Sequence, residues 1–199
     1  MSEINMKYVA FLRAVNVGGR IVKMEQLKKI FEDLKLKNVK TFIQSGNVIF
    51  ETMEKDKNIL TKKIEKKLKA SLNYEVLVML RTDKELADIV KQNPFKDDKL
   101  DENTRVYIAF LYNKPGKETK NILSSLNNKN ETFLLKNNEV YCKVRKDEKK
   151  SSYFSILLLE KKLGIPLTTR NQTTVNKIKL LLDSDSILKS VQSMKPGRD

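Results

Sequence analysis

KYVAFLRAVNVGGRIVKMEQLKKIFEDLKLKNVKTFIQSGNVIF, residues 7–50, is the stretch that decides the fold. It begins with a predicted strand, residues 7–15, whose apolar run 8–12 does not alternate with polar residues, so we predict a central strand covered on both faces. Apolar residues at helical spacing then predict an amphipathic helix over residues 23–36. Two short strands, 39–44 and 47–52, follow around Ser-Gly, and a two-residue link containing glycine is typical of a β-hairpin.

The residues that follow complete a known arrangement, because a second amphipathic helix is predicted at 56–72 and a fourth strand at 74–80. The order strand, helix, strand, strand, helix, strand is the ferredoxin-like, or split βαβ, plan. In such a sheet, of order 4-1-3-2, strands one and two run the same way and strands one and three are neighbours. The loop that leaves strand one and the turn that leaves strand two therefore emerge at the same edge.

The rest of the chain repeats part of this order less regularly. We therefore predict an α+β protein of two ferredoxin-like halves, each a two-layer unit with an antiparallel or mixed sheet, and place the domains at 1–81 and 82–199. The predicted elements of the second half are helices at 83–92, 117–126, 153–163 and 174–182 and strands at 105–112, 132–135 and 140–144.

Composition excludes several classes of chemistry. The 199 residues include no His and one Cys, so imidazole bases, imidazole metal ligands, intrachain disulfides and thiolate zinc sites are excluded. No apolar run reaches the roughly 20 residues of a membrane span, and the opening residues lack the pattern of a signal peptide. We expect a cytoplasmic protein with no metal, no cofactor and no membrane partner.

The excess of 40 Lys and Arg over 25 Asp and Glu gives a formal charge of +15 and allows two interpretations. Clustered positive charge is the footprint of nucleic-acid binding. Here the basic residues are spread over both halves and are mostly Lys, whereas bidentate recognition of phosphates favours Arg. A generally solvated surface is therefore favoured over a nucleic-acid partner.

Two polar loops are the first candidates for a binding site. RAVNVGGR, residues 13–20, follows a strand and opens a helix, and adjacent glycines let backbone N–H groups approach an anion. QSGN, residues 44–47, forms the predicted hairpin tip, and the sheet order places it beside the first loop. Ordinary turns are the alternative for each segment. Convergent N–H groups, amides and basic side chains suit a phosphate or a carboxylate, so the predicted ligand-binding residues are Arg13, Asn16, Gly18, Gly19, Lys23, Gln44, Ser45, Gly46 and Asn47, with Arg20 able to add charge.

A third polar block, residues 168–171, precedes the last predicted helix. Its small hydroxyl and amide side chains are typical of a helix cap, and the same position suits an anion at a helix N-terminus. We include Thr169, Arg170 and Asn171 among the candidate ligand-binding residues, with capping as the alternative. Cys142 lies in a predicted strand and is interpreted as a packed, inert thiol.

The stretch FLRAVNVGGRIVKMEQLKKIFEDLKLKNVKTFIQSGNVIF, with the later LEKKLGIPLTTRNQTTVNKI, closely resembles the bacterial domain-of-unknown-function family sixteen-ninety-seven. The resemblance spans nearly the whole chain and departs at Ala14, where the family often has glycine, and at Gln172, where it usually has Trp. It implies a two-part α/β fold of ferredoxin-like character with no established activity. It also implies a shared polar set, namely Asn16, Gly18, Gly19, Gln44, Ser45, Gly46, Asn47, Thr169, Arg170 and Asn171.

Four functions are compatible with these observations. The first is a protein that binds a phosphorylated or other anionic small molecule, such as a nucleotide, where the two loops meet. The second is an enzyme that uses the same site without histidine, with Lys23 and Ser45 as candidate acid-base groups. The third is RNA binding of the RRM kind through Tyr8 and Phe50, although the K/R-G-F/Y-G/A-F-V-x-F/Y pattern is absent. The fourth is a purely structural role.

Overall fold

The chain folds into two halves that share the order strand, helix, strand, strand, helix, strand, and the second half has one further helix at each end of this series. The structure is a computed structural model and describes residues 5–16, 19, 21–44, 46–146 and 153–193. The first half comprises β1 Met6–Leu12, α1 Met24–Glu32, β2 Lys37–Phe42, β3 Asn47–Thr52, α2 Lys57–Leu72 and β4 Val78–Thr82. The second comprises α3 Asp83–Lys91, β5 Thr104–Leu111, α4 Thr119–Leu126, β6 Glu131–Lys136, β7 Glu139–Arg145, α5 Tyr153–Leu163, β8 Leu167–Asn171 and α6 Gln172–Ser193.

Each half contains one four-stranded antiparallel sheet. The first has the order β2-β3-β1-β4 and the second the order β6-β7-β5-β8. The predicted order 4-1-3-2 is therefore confirmed, and the second sheet repeats it. Because β1 and β2 are both antiparallel to β3, they run in the same direction and end at the same edge.

Local signals set the ends of the elements. The side chain of Asp56 accepts hydrogen bonds from the backbone N–H groups of Asn58 and Ile59 and caps α2. Thr82 and Glu85 form a capping box that begins α3 directly after β4, so β4 and α3 are joined without a loop. β1 ends at Leu12, earlier than predicted, and the positive φ of Ala14 and Asn16 shows that the chain has left the strand conformation.

One strand is missing from the predicted elements. Residues 168–171, expected as a polar block before the last helix, belong to β8, which pairs antiparallel with β5 from Tyr107↔Asn171 to Leu111↔Leu167, and among them Asn171 also makes a helix-capping contact. β8 occupies the same place in its sheet as β4 does in the first. The helix that follows begins at Gln172 rather than at residue 174 and extends beyond residue 182. Within β8, the polar side chains of Thr168 and Arg170 contact the first half.

The two sheets pack against each other. Tyr8, Ala10 and Leu12 of β1 lie in a core with α1 and α2, whereas Val9 and Phe11 lie in a second core with residues of β5, α3 and α6. Side chains alternate between the two faces of a strand, so a non-alternating apolar run is expected where both faces are covered. The rings of Phe11 and Phe110 stack across the interface with centroids 3.9 Å apart.

The outer face of the second sheet carries a third core with α4 and α5. Helices therefore cover the outside of both sheets, and the inner faces meet. The two rings expected to stack on RNA are not accessible, because Tyr8 and Phe50 are fully buried on the helix side of the first sheet. Val9 and Phe11, on the opposite face of β1, pack in the core shared with the second half.

Candidate functional site

Two buried arginines occupy equivalent positions in the two halves. Arg81 in β4 pairs with Val9 of β1, and Arg170 in β8 pairs with Ile108 of β5. Each guanidinium lies over an aromatic ring of the other half, because Arg81 is 5.7 Å from the ring centre of Phe110 and Arg170 is 5.7 Å from that of Phe11. The duplication therefore extends from the order of strands to individual contacts between the halves.

Arg170 holds the first half by hydrogen bonds to neutral acceptors. Its Nε donates to Asn47 Oδ1 at 2.6 Å, and its Nη2 donates to the carbonyl oxygens of Leu12 at 2.9 Å and Gly46 at 3.1 Å. Its Nη1 donates to the Thr168 hydroxyl and to the Thr169 carbonyl oxygen. Burial lowers the pKa of Arg170 to about 10, which leaves it charged at neutral pH. The donors that would bind an anion are directed to protein atoms instead.

The two polar loops of the first half meet. Asn16 Nδ2 donates to the Gln44 carbonyl oxygen at 2.7 Å, and Asn16 Oδ1 accepts from the Val22 N–H at 2.5 Å. Gly46 has φ +73°, and an added Cβ would lie 3.2 Å from Leu12 Cβ and 3.3 Å from Val15 Cβ. We call this edge, formed among the described residues by 13–16, 19, 21–22, 43–44 and 46, the Asn16 rim. Both polar groups of Asn16 hold the rim together.

The remaining predicted residues of the rim differ in their surroundings. Arg13 forms a two-pronged ion pair with Glu160 of α5, with Nη2 2.6 Å from Oε1 and Nε 3.2 Å from Oε2. Lys23 and Gly19 are exposed, and Lys23 precedes α1 without a side-chain cap. Gly18, Arg20 and Ser45 lie outside the described residues.

The third predicted block has structural contacts. The Thr169 carbonyl oxygen accepts from Arg170, and the Asn171 side chain accepts from the Thr173 N–H at 2.9 Å. Asn171 therefore does make a capping contact at the start of α6. Thr168, which is buried, donates to the Leu12 carbonyl oxygen at 3.4 Å.

A cavity of about 630 Å³ opens at the equivalent edge of the second half, between α2, β4 and the loop after β5. We call it the basic cavity, because its lining contains four cationic side chains and no carboxylate. The cations are Lys57, Lys62, Arg81 and Lys114, and the other lining residues are Asn58, Thr61, Val78, Met79, Leu80, Tyr112, Asn113 and Asn138.

A second cavity of about 540 Å³ shares Lys57, Arg81, Lys114 and Asn138 with the basic cavity, so the two adjoin. We call it the mixed cavity, because it adds three carboxylates to these cations. Its other lining residues are Glu85, Asp88, Ile89, Pro115, Asn137 and Glu139. Both volumes fall within the range of small-molecule sites.

Arg81 is the buried cation shared by the two cavities. Its Nε donates to Glu139 Oε1 at 2.6 Å and its Nη1 to the Leu80 carbonyl oxygen at 2.8 Å. Its Nη2 is buried and has no hydrogen-bond partner among the described residues. Burial raises the pKa of Glu139, and Arg81 opposes this shift without cancelling it. The Nη2 group of Arg81 thus has no acceptor among the described residues, whereas Nη2 of its counterpart Arg170 donates to two carbonyl oxygens.

Lys57 is held by an acidic neighbour. Its Nζ lies 2.5 Å from Glu85 Oε1, so the ion pair joins α2 to α3 at the boundary of the two cavities. Burial acts to raise the pKa of Glu85, but the hydrogen bonds from Lys57 and from the Thr82 N–H outweigh it and leave that pKa lowered. Lys62 and Lys114 make no ion pair with the described residues.

Tyr112, which lines the basic cavity, is hydrogen-bonded to the carboxylate of Glu65 just outside it. Its hydroxyl donates to Glu65 Oε2 at 3.1 Å, and Glu65 Oε1 accepts from the Val78 N–H at 2.9 Å. Burial raises the pKa of Glu65 against these two hydrogen bonds, and burial together with Glu65 raises the pKa of Tyr112. The pair fixes the wall of the cavity between α2 and β5.

Sequence reasoning missed this edge. The duplication was the available signal, because it maps the hairpin at residues 44–47 onto Asn137 and Asn138 and the loop after β1 onto the loop after β5. Lys57 and Lys62 gave no sign of a site, since exposed helix lysines are ordinary. Within the described residues, no helix is long and apolar enough to span a membrane, and no cluster of potential metal ligands occurs.

The order of the strands and the packing of the two sheets define the class of protein. It is an α+β protein built from two ferredoxin-like halves whose sheets pack face to face. A sequence model of the family described as "Protein of unknown function (DUF1697)" matches residues 6–141. The chain therefore belongs to that family, as its motifs suggested. A search of curated proteins finds no match.

A solved structure supports the fold. The chain is similar to the conserved bacterial protein SP0830 from Streptococcus pneumoniae, with a TM-score of 0.71 and 21% identity over 90% of this chain and 99% of that one. At this identity the likeness shows the fold alone. An unknown protein from Galdieria sulphuraria aligns at a TM-score of 0.24 and 9% identity, over 84% of this chain and 99% of that one, which carries no argument.

Proposed function

We propose that this protein binds a small anionic compound, in particular a phosphorylated one, in the basic cavity. The observation that carries the proposal is the lining itself, in which four cations face a cavity of about 630 Å³ without a lining carboxylate. Cations gathered in a concave site attract anions more strongly than the same charges spread over a surface. A phosphate group supplies several acceptor oxygens for such donors.

The buried arginine adds a second argument. Desolvating a cation is costly unless its donors are satisfied, yet Nη2 of Arg81 has no partner among the described residues. An oxyanion beside Arg81 would satisfy that nitrogen after a small movement of the guanidinium. Lys62 and Lys114 would then supply charge from opposite walls, α2 and the loop after β5.

The test is an isothermal titration of the purified protein with inorganic phosphate and pyrophosphate, in a chloride buffer at low and moderate salt. The double variant Lys62→Gln with Lys114→Gln should lose affinity by about tenfold or more, because it removes two of the four cations. The matched control is Lys37→Gln with Lys63→Gln, which removes the same charge at exposed positions outside the cavity lining. The control should bind as the wild type does.

Two results would contradict the proposal. Equal losses in both double variants would mean that only the net charge attracts the anion, which salt would then abolish. Absence of binding in the wild type would remove the function altogether.

The Asn16 rim remains a separate prediction for where an anion binds. The polar groups of Asn16 and Arg13 in the rim, and of Arg170 beside it, are already paired within the protein, which is why we favour the basic cavity. The same titration separates the two locations. Loss of affinity in Lys23→Gln, together with unchanged affinity in the Lys62 and Lys114 variant, would move the site to the rim.

A further inference from the structure

The geometry points to a sugar phosphate as the class of ligand, with its phosphate in the basic cavity and its hydroxyl groups in the mixed cavity. This inference rests on the proposed function, because it assigns the phosphate to the cations described above. It adds a second, chemically different half to the ligand. The two cavities share Lys57, Arg81 and Lys114, so one molecule can extend from one into the other past these cations.

The mixed cavity offers acceptors that a phosphate cannot use. Asp88 of α3 is exposed, and its carboxylate makes no hydrogen bond or ion pair with the described residues. Its carboxylate would repel a phosphate but would accept hydrogen bonds from hydroxyl groups. Asn137 and Asn138 lie at the hairpin between β6 and β7, and their side-chain amides can both donate and accept.

The other two carboxylates of the mixed cavity are already used. Glu85 accepts from Lys57 and from the Thr82 N–H, and Glu139 accepts from Arg81. The free acceptor capacity is therefore one carboxylate and two amides rather than a strongly anionic pocket. One carboxylate and two amides suit a neutral ligand group with several hydroxyls. A cationic group would bind better where several unpaired carboxylates lie together.

Apolar side chains complete the lining. Ile89 of α3 and Pro115 of the loop after β5 both line the mixed cavity. A sugar ring presents C–H groups as well as hydroxyls, so it can contact an apolar side chain while its hydroxyls bind polar groups. Inorganic phosphate or pyrophosphate would leave this part of the site unfilled.

The experiment compares inorganic phosphate, glycerol 3-phosphate, ribose 5-phosphate and glucose 6-phosphate by isothermal titration. We expect at least one of the two sugar phosphates to bind about tenfold or more tightly than inorganic phosphate, because it adds hydrogen bonds and apolar contact. Asp88→Asn should weaken binding of that sugar phosphate about tenfold, since a charged acceptor becomes a neutral one. It should leave inorganic phosphate unchanged or slightly tighter.

The matched control is Asp83→Asn, because Asp83 lies in the first turn of the same helix but does not line either cavity. This variant should bind every ligand as the wild type does. Sugar phosphates that bind no tighter than inorganic phosphate would overturn the inference while leaving the proposed function standing. Failure of all phosphates to bind would remove both.

Two further outcomes are decisive. An equal effect of Asp88→Asn on inorganic phosphate and on the sugar phosphate would overturn the separation of the two cavities. Glucosamine 6-phosphate binding tenfold more tightly than glucose 6-phosphate, with the advantage lost in Asp88→Asn, would assign the mixed cavity to an ammonium group and overturn the assignment to hydroxyls.

Discussion

Replacing Arg170 by Met should destabilise the protein by removing its hydrogen bonds between the halves. Arg170 makes three charge-assisted contacts to the first half, with Asn47 and with the carbonyl oxygens of Leu12 and Gly46. Contacts to a charged group contribute about 1.5–3 kcal/mol each when both partners are desolvated. The variant also removes a buried cation whose desolvation costs several kcal/mol.

Two details reduce the expected loss. The Leu12 carbonyl oxygen keeps the Thr168 hydroxyl as a donor, and the Gly46 carbonyl oxygen keeps the Leu12 N–H. Neither becomes an unpaired buried group. Balancing lost contacts against the relieved burial of charge, we expect a decrease of about 3 kcal/mol in the free energy of unfolding.

The assay is urea unfolding at neutral pH followed by far-ultraviolet circular dichroism, which the absence of Trp does not affect. Arg105→Met is the matched control, because Arg105 is exposed on the neighbouring strand β5 and its guanidinium donates, among the described residues, only to the nearby Glu102 and Thr104 carbonyl oxygens. It should change stability by less than about 0.5 kcal/mol. An Arg170→Met variant as stable as the control would refute the conclusion that the Arg170 hydrogen bonds stabilise the contact between the halves.

Three other predictions follow from single groups. Glu85→Gln frees Lys57, so phosphate measured by calorimetry should bind several-fold more tightly, whereas unchanged affinity would show that Lys57 takes no part. Cys142 is fully buried, and burial raises the pKa of its thiol. A disulfide reagent should therefore label the native protein about a hundredfold more slowly than the urea-unfolded protein. Equal labelling rates would contradict the burial of Cys142. Burial raises the pKa of Glu139 above its ordinary value, although Arg81 acts to lower it. Between the ordinary pKa and the raised one, the native state binds the proton more readily than the unfolded chain does, so the stability of the native state falls as the pH rises through this range. The difference in unfolding free energy between wild type and Glu139→Gln should therefore vary with pH, and a constant difference between about pH 4 and pH 8 would count against it.

The fold was largely predictable because its signals are local. The run Tyr8 to Leu12 predicted a strand covered on both faces, and its alternate residues do face α1 and α2 on one side and the second sheet on the other. β8 was missed for the opposite reason. Its buried Arg170 donates hydrogen bonds to acceptors that lie far away in the sequence, at Leu12, Gly46 and Asn47. No local sequence pattern indicates such partners.

The candidate site was less predictable than the fold. Sheet order correctly indicated that the loops after β1 and β2 meet, as the contact between Asn16 and Gln44 shows. The sheet order did not indicate that the polar groups of Asn16 would form hydrogen bonds within the rim. The basic cavity depends on tertiary packing, because Lys57 and Lys62 of the first half meet Lys114 of the second only once β4 lies beside the loop after β5.

Anomalous diffraction from crystals soaked in tungstate, a heavy-atom substitute for phosphate, would test the anion site most directly. The account predicts a strong peak inside the basic cavity, within hydrogen-bonding distance of Arg81 and of Lys62 or Lys114. A peak at the Asn16 rim, or peaks only beside exposed surface lysines such as Lys63, would contradict it.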